Sequence, residues 1–476
     1  MKQTRKFFSQ TDKTFYKKVI ILALPILIQQ AITVSINLLD NMMVGSFDLL
    51  AVSGVSIANQ IFFIVNVLFF GGYVAPGIFV SQYYGAKDIE GVQRAIRFKV
   101  WAGLAVLTVV SVVLLLFHPF FIRQFLHDTN DPSSMDAIFA YSKTYLTLMV
   151  ISLVPFSVTL LYTTSFRETG KPTLPMKAGV VALGVNFVLN LLLINGYLGF
   201  PKMGVVGAAL STIIARFTEM LIILIVSSKQ KRNYPFLQGL YKTLKVPLAL
   251  VKDIVKKGLP LLTNEFIWSL GMTVVVAIYA KRGTLVLLSL NITGTITNLF
   301  FIIFGAMATA ISIIVGQSLG AGKLDEAKVI GKKLMFFLVF VCGMVGIFLA
   351  IISPFIPILF NATPDIKHLA TLILLVIAAF FPVYAFNSGA VYTIRAGGVT
   401  TILFLFDVLF IWGIYLPLAY LLVSKTAWSI VLVYFLIQVL EIIKSIFLTF
   451  LLKKGYWIKN LAQKEKKFYK LNNLCI

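Results

Sequence analysis

Twelve stretches of this chain stay apolar for long enough to cross a lipid bilayer, and nothing else in it limits the possible folds so strongly. A hydrocarbon core of about 30 Å takes about 20 helical residues at about 1.5 Å each. The stretches fall near residues 19–44, 51–81, 100–122, 138–165, 174–196, 203–227, 255–279, 285–316, 333–360, 369–393, 400–423 and 428–452. In lipid, every backbone N–H and C=O must be satisfied internally, so the expectation is an all-α membrane protein with twelve transmembrane helices. Composition excludes the water-soluble alternative. Of 476 residues, 59% are hydrophobic and 13% charged, against about 45–50% and about 25% in soluble domains.

A formal net charge of +24 would, in a soluble protein, suggest nucleic acid. Here the basic residues sort by membrane side. With both termini cytoplasmic, 33 of the 42 Lys and Arg lie in cytoplasmic segments or at the cytoplasmic ends of spans, seven lie in outer loops or at outer span ends, and Arg216 and Lys444 lie deeper inside spans. The positive-inside rule and contact with membrane lipids account for this charge, and no nucleic-acid partner is expected. The N-terminal segment, 1–18, is polar and basic and lacks a small-residue cleavage motif after its first apolar run, so no removable signal peptide is read. The expected location is the cell (plasma) membrane. Cys342 and Cys475 fit neither a disulfide framework nor a metal site.

The longest cytoplasmic linker, 228–254, divides the spans six and six, into an N-lobe at 19–227 and a C-lobe at 255–452, followed by a basic tail at 453–476. Sliding one half on the other by 235 residues aligns Leu24-Pro25 with Leu259-Pro260, and Gln82, Gly85 and Ala86 with Gln317, Gly320 and Ala321. Pro155 and Arg167 face Pro382 and Arg395 at nearly the same shift. Each half begins and ends in the cytoplasm, so the repeats are parallel and related by a pseudo-twofold axis along the membrane normal, around a central cleft. Such an arrangement suits alternating access and makes a transporter the leading class.

Five acids fall inside spans: Asp40, Glu219, Glu265, Asp407 and Glu441. A charge at mid-bilayer costs at least about 2.5–3.5 kcal/mol, so each needs a partner, a proton or a wet cavity. Asp40 shares an arc of about 100° on helix 1 with Gln30, Thr33, Asn37 and Asn41. No cation lies nearby in sequence, and desolvation favours the neutral acid, which makes Asp40 a candidate for proton exchange. Glu265, with Ser269 and Thr273 at helical spacing, also lacks a local cation. Arg216 with Glu219, and Glu441 with Lys444, stand three apart and can form in-helix ion pairs. Asp407 has no local partner, and its reading stays open between structure and function.

Uncharged polar residues recur at helical spacing: Asn186 and Asn190; Asn291, Thr295 and Asn298; Tyr384 and Asn387. Together with the unpaired carboxylates they favour a wet cavity. Asp40, Glu265, Asn37, Asn186 and Asn190 are assigned to ion or proton coupling. Gln30, Thr33, Asn37, Asn291, Asn298, Tyr384 and Asn387 are assigned to substrate. Enzyme readings fail: His118, His127 and His368 lie in or beside outer loops, and no catalytic or nucleotide-binding motif occurs. No cofactor and no metal are expected beyond H⁺ or Na⁺ as coupling ion.

The helix 1 segment LALPILIQQAITVSINLLDNMMVG, then SQYYGAKD, FRETGKPTLP and GQSLGAGKLDEAK, stand in an order and spacing that resemble the multidrug and toxic compound extrusion (MATE) family. The similarity runs over roughly residues 15–455. It implies two six-helix lobes forming a V-shaped cleft, and a monomer that exports small organic cations in exchange for H⁺ or Na⁺. It matches Asp40 to a helix 1 carboxylate that triggers rearrangement of that helix in proton-coupled members, and Glu265 to a helix 7 carboxylate of the second lobe. Some Na⁺-coupled members carry an Asp on helix 10, where this chain has FPVYAFNSG and no acid. That departure favours H⁺ over Na⁺, with Asp40 as the protonation switch and Pro25 and Pro260 as hinges. The alternative is a flippase for lipids or lipid-linked oligosaccharides, against which stands the scarcity of cations away from the span ends: Arg216 and Lys444.

Overall fold

The computed structural model describes residues 11–45, 47–126, 132–360 and 362–463, without the side chains of residues 11–14, 37, 38 and 132. Among the described residues there is no strand, and twelve helices are long and apolar enough to cross a membrane. They are α1 (Thr11–Gly45), α2 (Leu49–Gly85), α3 (Ile89–Phe125), α4 (Pro132–Glu168), α5 (Thr173–Asn195) and α6 (Val205–Lys229). After the linker come α7 (Leu248–Ala280), α8 (Thr284–Gly320), α9 (Leu324–Ile352), α10 (Pro364–Ala396), α11 (Thr401–Lys425) and α12 (Ile430–Lys454). One helix stands for each apolar stretch, and the chain is a multi-pass membrane protein.

Several helices outrun their apolar stretches, because backbone hydrogen bonding continues where side chains turn polar. α1 is already helical at Thr11 within the polar N-terminal segment, and α3 begins at Ile89 rather than near residue 100. The reverse occurs in the ninth span. Expected to reach residue 360, α9 stops at Ile352, before Pro354 and a 3₁₀ turn over Ile356–Leu359, since proline cannot donate to the helical ladder. Pro25, Pro76, Pro155, Pro260 and Pro382 nevertheless lie inside helices, as bundled membrane helices tolerate. α11 contains a π turn over Leu409–Tyr415, whose Phe410, Ile411 and Tyr415 are buried.

The chain divides into two compact units. The first holds the described residues of Met1–Val80 and Ile89–Val251. In it α5 and α6 pack together, α4 packs on α3 and α6, and α1 packs on α5. The linker expected as a simple loop is a folded strap on α3. Gln93 Nε2 donates to Gln238 O at 2.7 Å, Arg97 Nε to Leu240 O at 2.9 Å and Trp101 Nε1 to Leu244 O at 3.0 Å. Tyr234 and Phe236 meet the Phe166 ring edge-on, and the Tyr241 and Tyr162 hydroxyls lie 3.0 Å apart. Burial pushes the Tyr234 and Tyr241 phenols above their ordinary range, so both remain neutral.

The second unit holds the described residues of Ser81–Asp88 and Lys252–Ile476. α10 is central, packing on α8, α9 and α12. The end of α2 crosses the end of α8 with almost no gap. A Cβ on Gly85 would stand 2.0 Å from Gln317 O, and one on Gly320 would stand 1.8 Å from Gln82 O. Each glycine meets the glutamine of the other repeat, the reciprocity that a twofold operation requires. Gln82 is fully buried: its Nε2 donates to Ala396 O (2.8 Å) and Lys459 O (3.2 Å), and its Oε1 accepts from Leu461 N (2.7 Å). The first part of the basic tail is thus packed structure, with Trp457 and Ala462 buried.

Candidate functional site

Asp40 sits near the end of α1 and is 2% exposed. On α5, Asn186 and Asn190 are one turn apart and point the same way, so their amides converge on it. Asn190 Nδ2 donates to Asp40 Oδ1 at 2.6 Å and Asn186 Nδ2 at 3.3 Å, while Thr212 Oγ1 of α6 donates to Oδ2 at 2.9 Å. All three donors are neutral. Arg216, one turn beyond Thr212, pairs instead with Glu219 at 3.6 Å, as its spacing predicts. Asn190 Oδ1 is buried with no hydrogen-bond partner among the described residues, which adds an acceptor beside the carboxylate. A carboxylate, a hydroxyl and amide oxygens form a hard, all-oxygen set that can take a proton or an alkali cation. No group of three or more His, Cys, Asp or Glu comes together among the described residues. Thr212 escaped the sequence reading, although Thr212, Arg216 and Glu219 form a polar stripe along α6. Asn37, assigned to the same site, lies outside the described side chains.

A second polar pocket of the first unit, about 90 Å³, is lined by Gln29, Thr33, Thr159, Thr163, Arg167, Arg216 and Glu219 among others. Thr33 is where the α1 stripe places it; Gln30 is not among the lining residues, and its neighbour Gln29 takes the place. Gln29 Oε1 accepts from Arg167 Nε at 2.8 Å, which joins the middle of α1 to the end of α4. Nearby, fully buried Lys99 donates to Glu168 Oε2 at 2.5 Å and to Thr164 Oγ1 at 3.0 Å. The expectation that Arg216 and Lys444 are the only cations inside the bundle is therefore wrong. Lys99, Arg167 and Arg395 lie on helix segments that continue past the apolar stretches and are enclosed by neighbours.

In the second unit the expected pairings change. Glu265, read as lacking a cation, accepts from Arg395 Nη2 at 3.1 Å, a partner 130 residues away on α10. Lys444 does not pair with Glu441; its Nζ lies 2.8 Å from Asp407 Oδ1, and Asn264 Nδ2 donates to Asp407 Oδ2 at 3.3 Å. A lysine side chain reaches a neighbouring helix as readily as its own next turn, and the buried Asp407 offers the better-desolvated partner. Glu441 Oε2 instead accepts from Asn387 Nδ2 at 2.9 Å. Thus α12 supplies a carboxylate to the α10 residue where the sequence has none. Three carboxylates here face two cations, leaving one negative charge over.

Glu441 borders a cavity of about 380 Å³ whose wall includes Trp268, Tyr279, Asn298, Phe301, Tyr384, Asn387, Phe410, Tyr415 and Tyr434. The π turn of α11 contributes Phe410, Ile411 and Tyr415 to it. Tyr384 OH donates to Gln438 Oε1 at 2.7 Å. Asn298, Tyr384 and Asn387 are brought together as expected for lining residues. Asn291 is not; it opens, with Thr295, onto a different cavity of about 600 Å³ beside Phe360 and Thr363, because the seven residues that separate it from Asn298 leave it on nearly the same side of α8 but about 10 Å further along the helix.

The sequence model of the MatE family matches residues 25–192 and again 260–421. An uncharacterized transporter of Bacillus subtilis, YisQ, is 26% identical over 417 residues, covering 86% of this chain and 88% of the relative. A probable multidrug resistance protein of Thermotoga maritima, NorM, is 24% identical over 413 residues, 86% of each. Among solved structures, the MATE transporter VcmN of Vibrio cholerae superposes with a TM-score of 0.83 at 16% identity, over 95% of this chain and 100% of its own. A MOP superfamily transporter of Pyrococcus furiosus, described by a binding pocket of reverse polarity, does so with a TM-score of 0.81 at 19% identity, over 92% and 95%.

Proposed function

Since the chain belongs to the MatE family, we propose that it is a secondary active multidrug efflux antiporter that moves organic cations out of the cell in exchange for inward H⁺, with Asp40 as the protonation switch. One observation carries this reading: the carboxylate of Asp40 is buried and accepts from neutral donors, with no salt bridge among the described residues to hold it ionised. A carboxylate so placed can gain and lose a proton without first breaking an ion pair. Its charge then alters how Asn186, Asn190 and Thr212 bind across α1, α5 and α6. Only a group whose interaction differs between two states can bias an exchange of access between membrane faces. Pro25 removes a helical donor in α1, which makes that helix the element that bends. Pro260 does the same in α7.

On the substrate side, the tyrosine-rich cavity suits an amphiphilic cation, attracted by the ring faces and by Glu441, since Lys444, the cation in the same wall, is taken up by Asp407. Asn298, Tyr384 and Asn387 line it and Glu441 supplies the charge. Each inward proton adds about 2.3 kcal/mol per 100 mV of membrane potential. The flippase alternative is poorly served, since the cation-bearing pocket of the first unit, at about 90 Å³, is far too small for a lipid-linked head group. The test is ethidium efflux from proteoliposomes under an imposed proton gradient. Asp40→Asn should reduce gradient-driven efflux by at least about tenfold while leaving the protein folded. Undiminished efflux by that variant would end the proposal, and efflux driven by Na⁺ alone would reassign the coupling ion.

A further inference from the structure

The pocket between α1, α4 and α6 is rich in donors in a way that neither proton exchange nor cation binding explains. On α4, Thr159, Thr163 and Arg167 recur every fourth residue and so form one stripe. All three line the pocket. Thr159 and Thr163 are only 5% and 6% exposed, yet neither hydroxyl has a hydrogen-bond partner among the described residues. Buried hydroxyls in helices usually return a bond to a preceding carbonyl, as Thr164 and Ser165 do on the same helix. Arg167 spends its Nε on Gln29, and its side chain makes no other hydrogen bond among the described residues. Arg216 faces the same space from α6, its guanidinium 5.2 Å from the centre of the Phe156 ring.

The acids near this wall are committed. Glu219 pairs loosely with Arg216 at 3.6 Å, Glu168 is held by Lys99 at 2.5 Å, and Asp40 is held by its three neutral donors. The wall itself therefore carries two guanidinium groups against one carboxylate, plus two hydroxyls with protons to donate. A volume of about 90 Å³ corresponds to roughly three water molecules at about 30 Å³ each.

We propose that this pocket binds a small monovalent inorganic anion of halide size, held by Arg167, Arg216 and the Thr159 and Thr163 hydroxyls. The anion balances the extra guanidinium and gives both hydroxyls an acceptor, tying α4 to α1 and α6. This goes beyond the transport reading and does not depend on it.

The test compares thermal unfolding of the purified full chain in sodium chloride and in sodium gluconate at equal ionic strength. Chloride should raise the midpoint in a saturable manner, by roughly 2–4 °C, because a ligand of the folded state stabilises it by mass action. The variant Thr159→Val/Thr163→Val keeps volume and charge and should lose that rise. Equal midpoints in the two salts, or an undiminished rise in the double variant, would overturn the proposal. Should the variant fail to fold, crystals of the unmodified chain grown in bromide decide the matter. An anomalous peak between Arg167 and Thr163 supports the site; peaks confined to the surface, an adventitious ion only, overturn it.

Discussion

Glu441 and Lys444 show how a residue's neighbours in sequence mislead about its partner. Their spacing suits an in-helix pair, worth only about 0.2–0.5 kcal/mol on an exposed helix, and α11 offers Lys444 the buried carboxylate of Asp407 at 2.8 Å instead. Glu441 is thereby left with an amide from Asn387 and a boundary on the aromatic cavity. Glu441→Gln keeps size and the capacity to accept from Asn387 but removes the charge. It should weaken ethidium binding to the purified protein by about tenfold, roughly the 1–2 kcal/mol of a partly desolvated charge contact. Glu441→Asp should retain most of the affinity, and fluorescence titration separates the two outcomes. Binding that is indifferent to the charge at this position would remove Glu441 from the substrate reading. Asp40 was legible as a buried acid without a local cation. Its donors were not all legible, because Thr212 comes from a third helix.

At the scale of elements, the repeat motif around Gln82 and Gln317 finds its reason in the crossing of α2 and α8. Backbone passes backbone there, so the final residue of each helix cannot carry a Cβ. Gly85→Ala should cost about 1–3 kcal/mol, the typical penalty for forcing a group into packed structure, read as a lowered unfolding midpoint. Gly184→Ala on α5, where an added Cβ meets nothing within 4 Å, serves as the matched control and should be neutral or slightly stabilising. Equal midpoints for the two variants would contradict the close crossing. The motif's recurrence was visible in the sequence, whereas its purpose was not, since periodicity does not tell which backbone lies opposite. The π turn of α11 was likewise invisible, because no residue type marks a widened turn, yet it delivers Phe410, Ile411 and Tyr415 to the cavity wall.

At the scale of the whole molecule, charge asymmetry predicts topology. If 33 of 42 basic residues mark the cytoplasmic side, the exposed Lys242 of the linker strap lies inside the cell and exposed Lys281, between α7 and α8, lies outside. In a background with Cys342 and Cys475 replaced by Ser, a membrane-impermeant maleimide should label Lys281→Cys in intact cells, and Lys242→Cys only after permeabilisation. The opposite pattern would invert the orientation. The apolar stretches alone determined that there are twelve helices, because a backbone in lipid has hardly any other way to satisfy its hydrogen bonds. Which acids keep a free charge was decided only by tertiary structure. Cations from distant segments, Arg395 for Glu265 and Lys444 for Asp407, neutralise some, while Asp40 receives amides and a hydroxyl. Coulomb attraction depends on distance through space, and helix packing brings together residues more than a hundred positions apart.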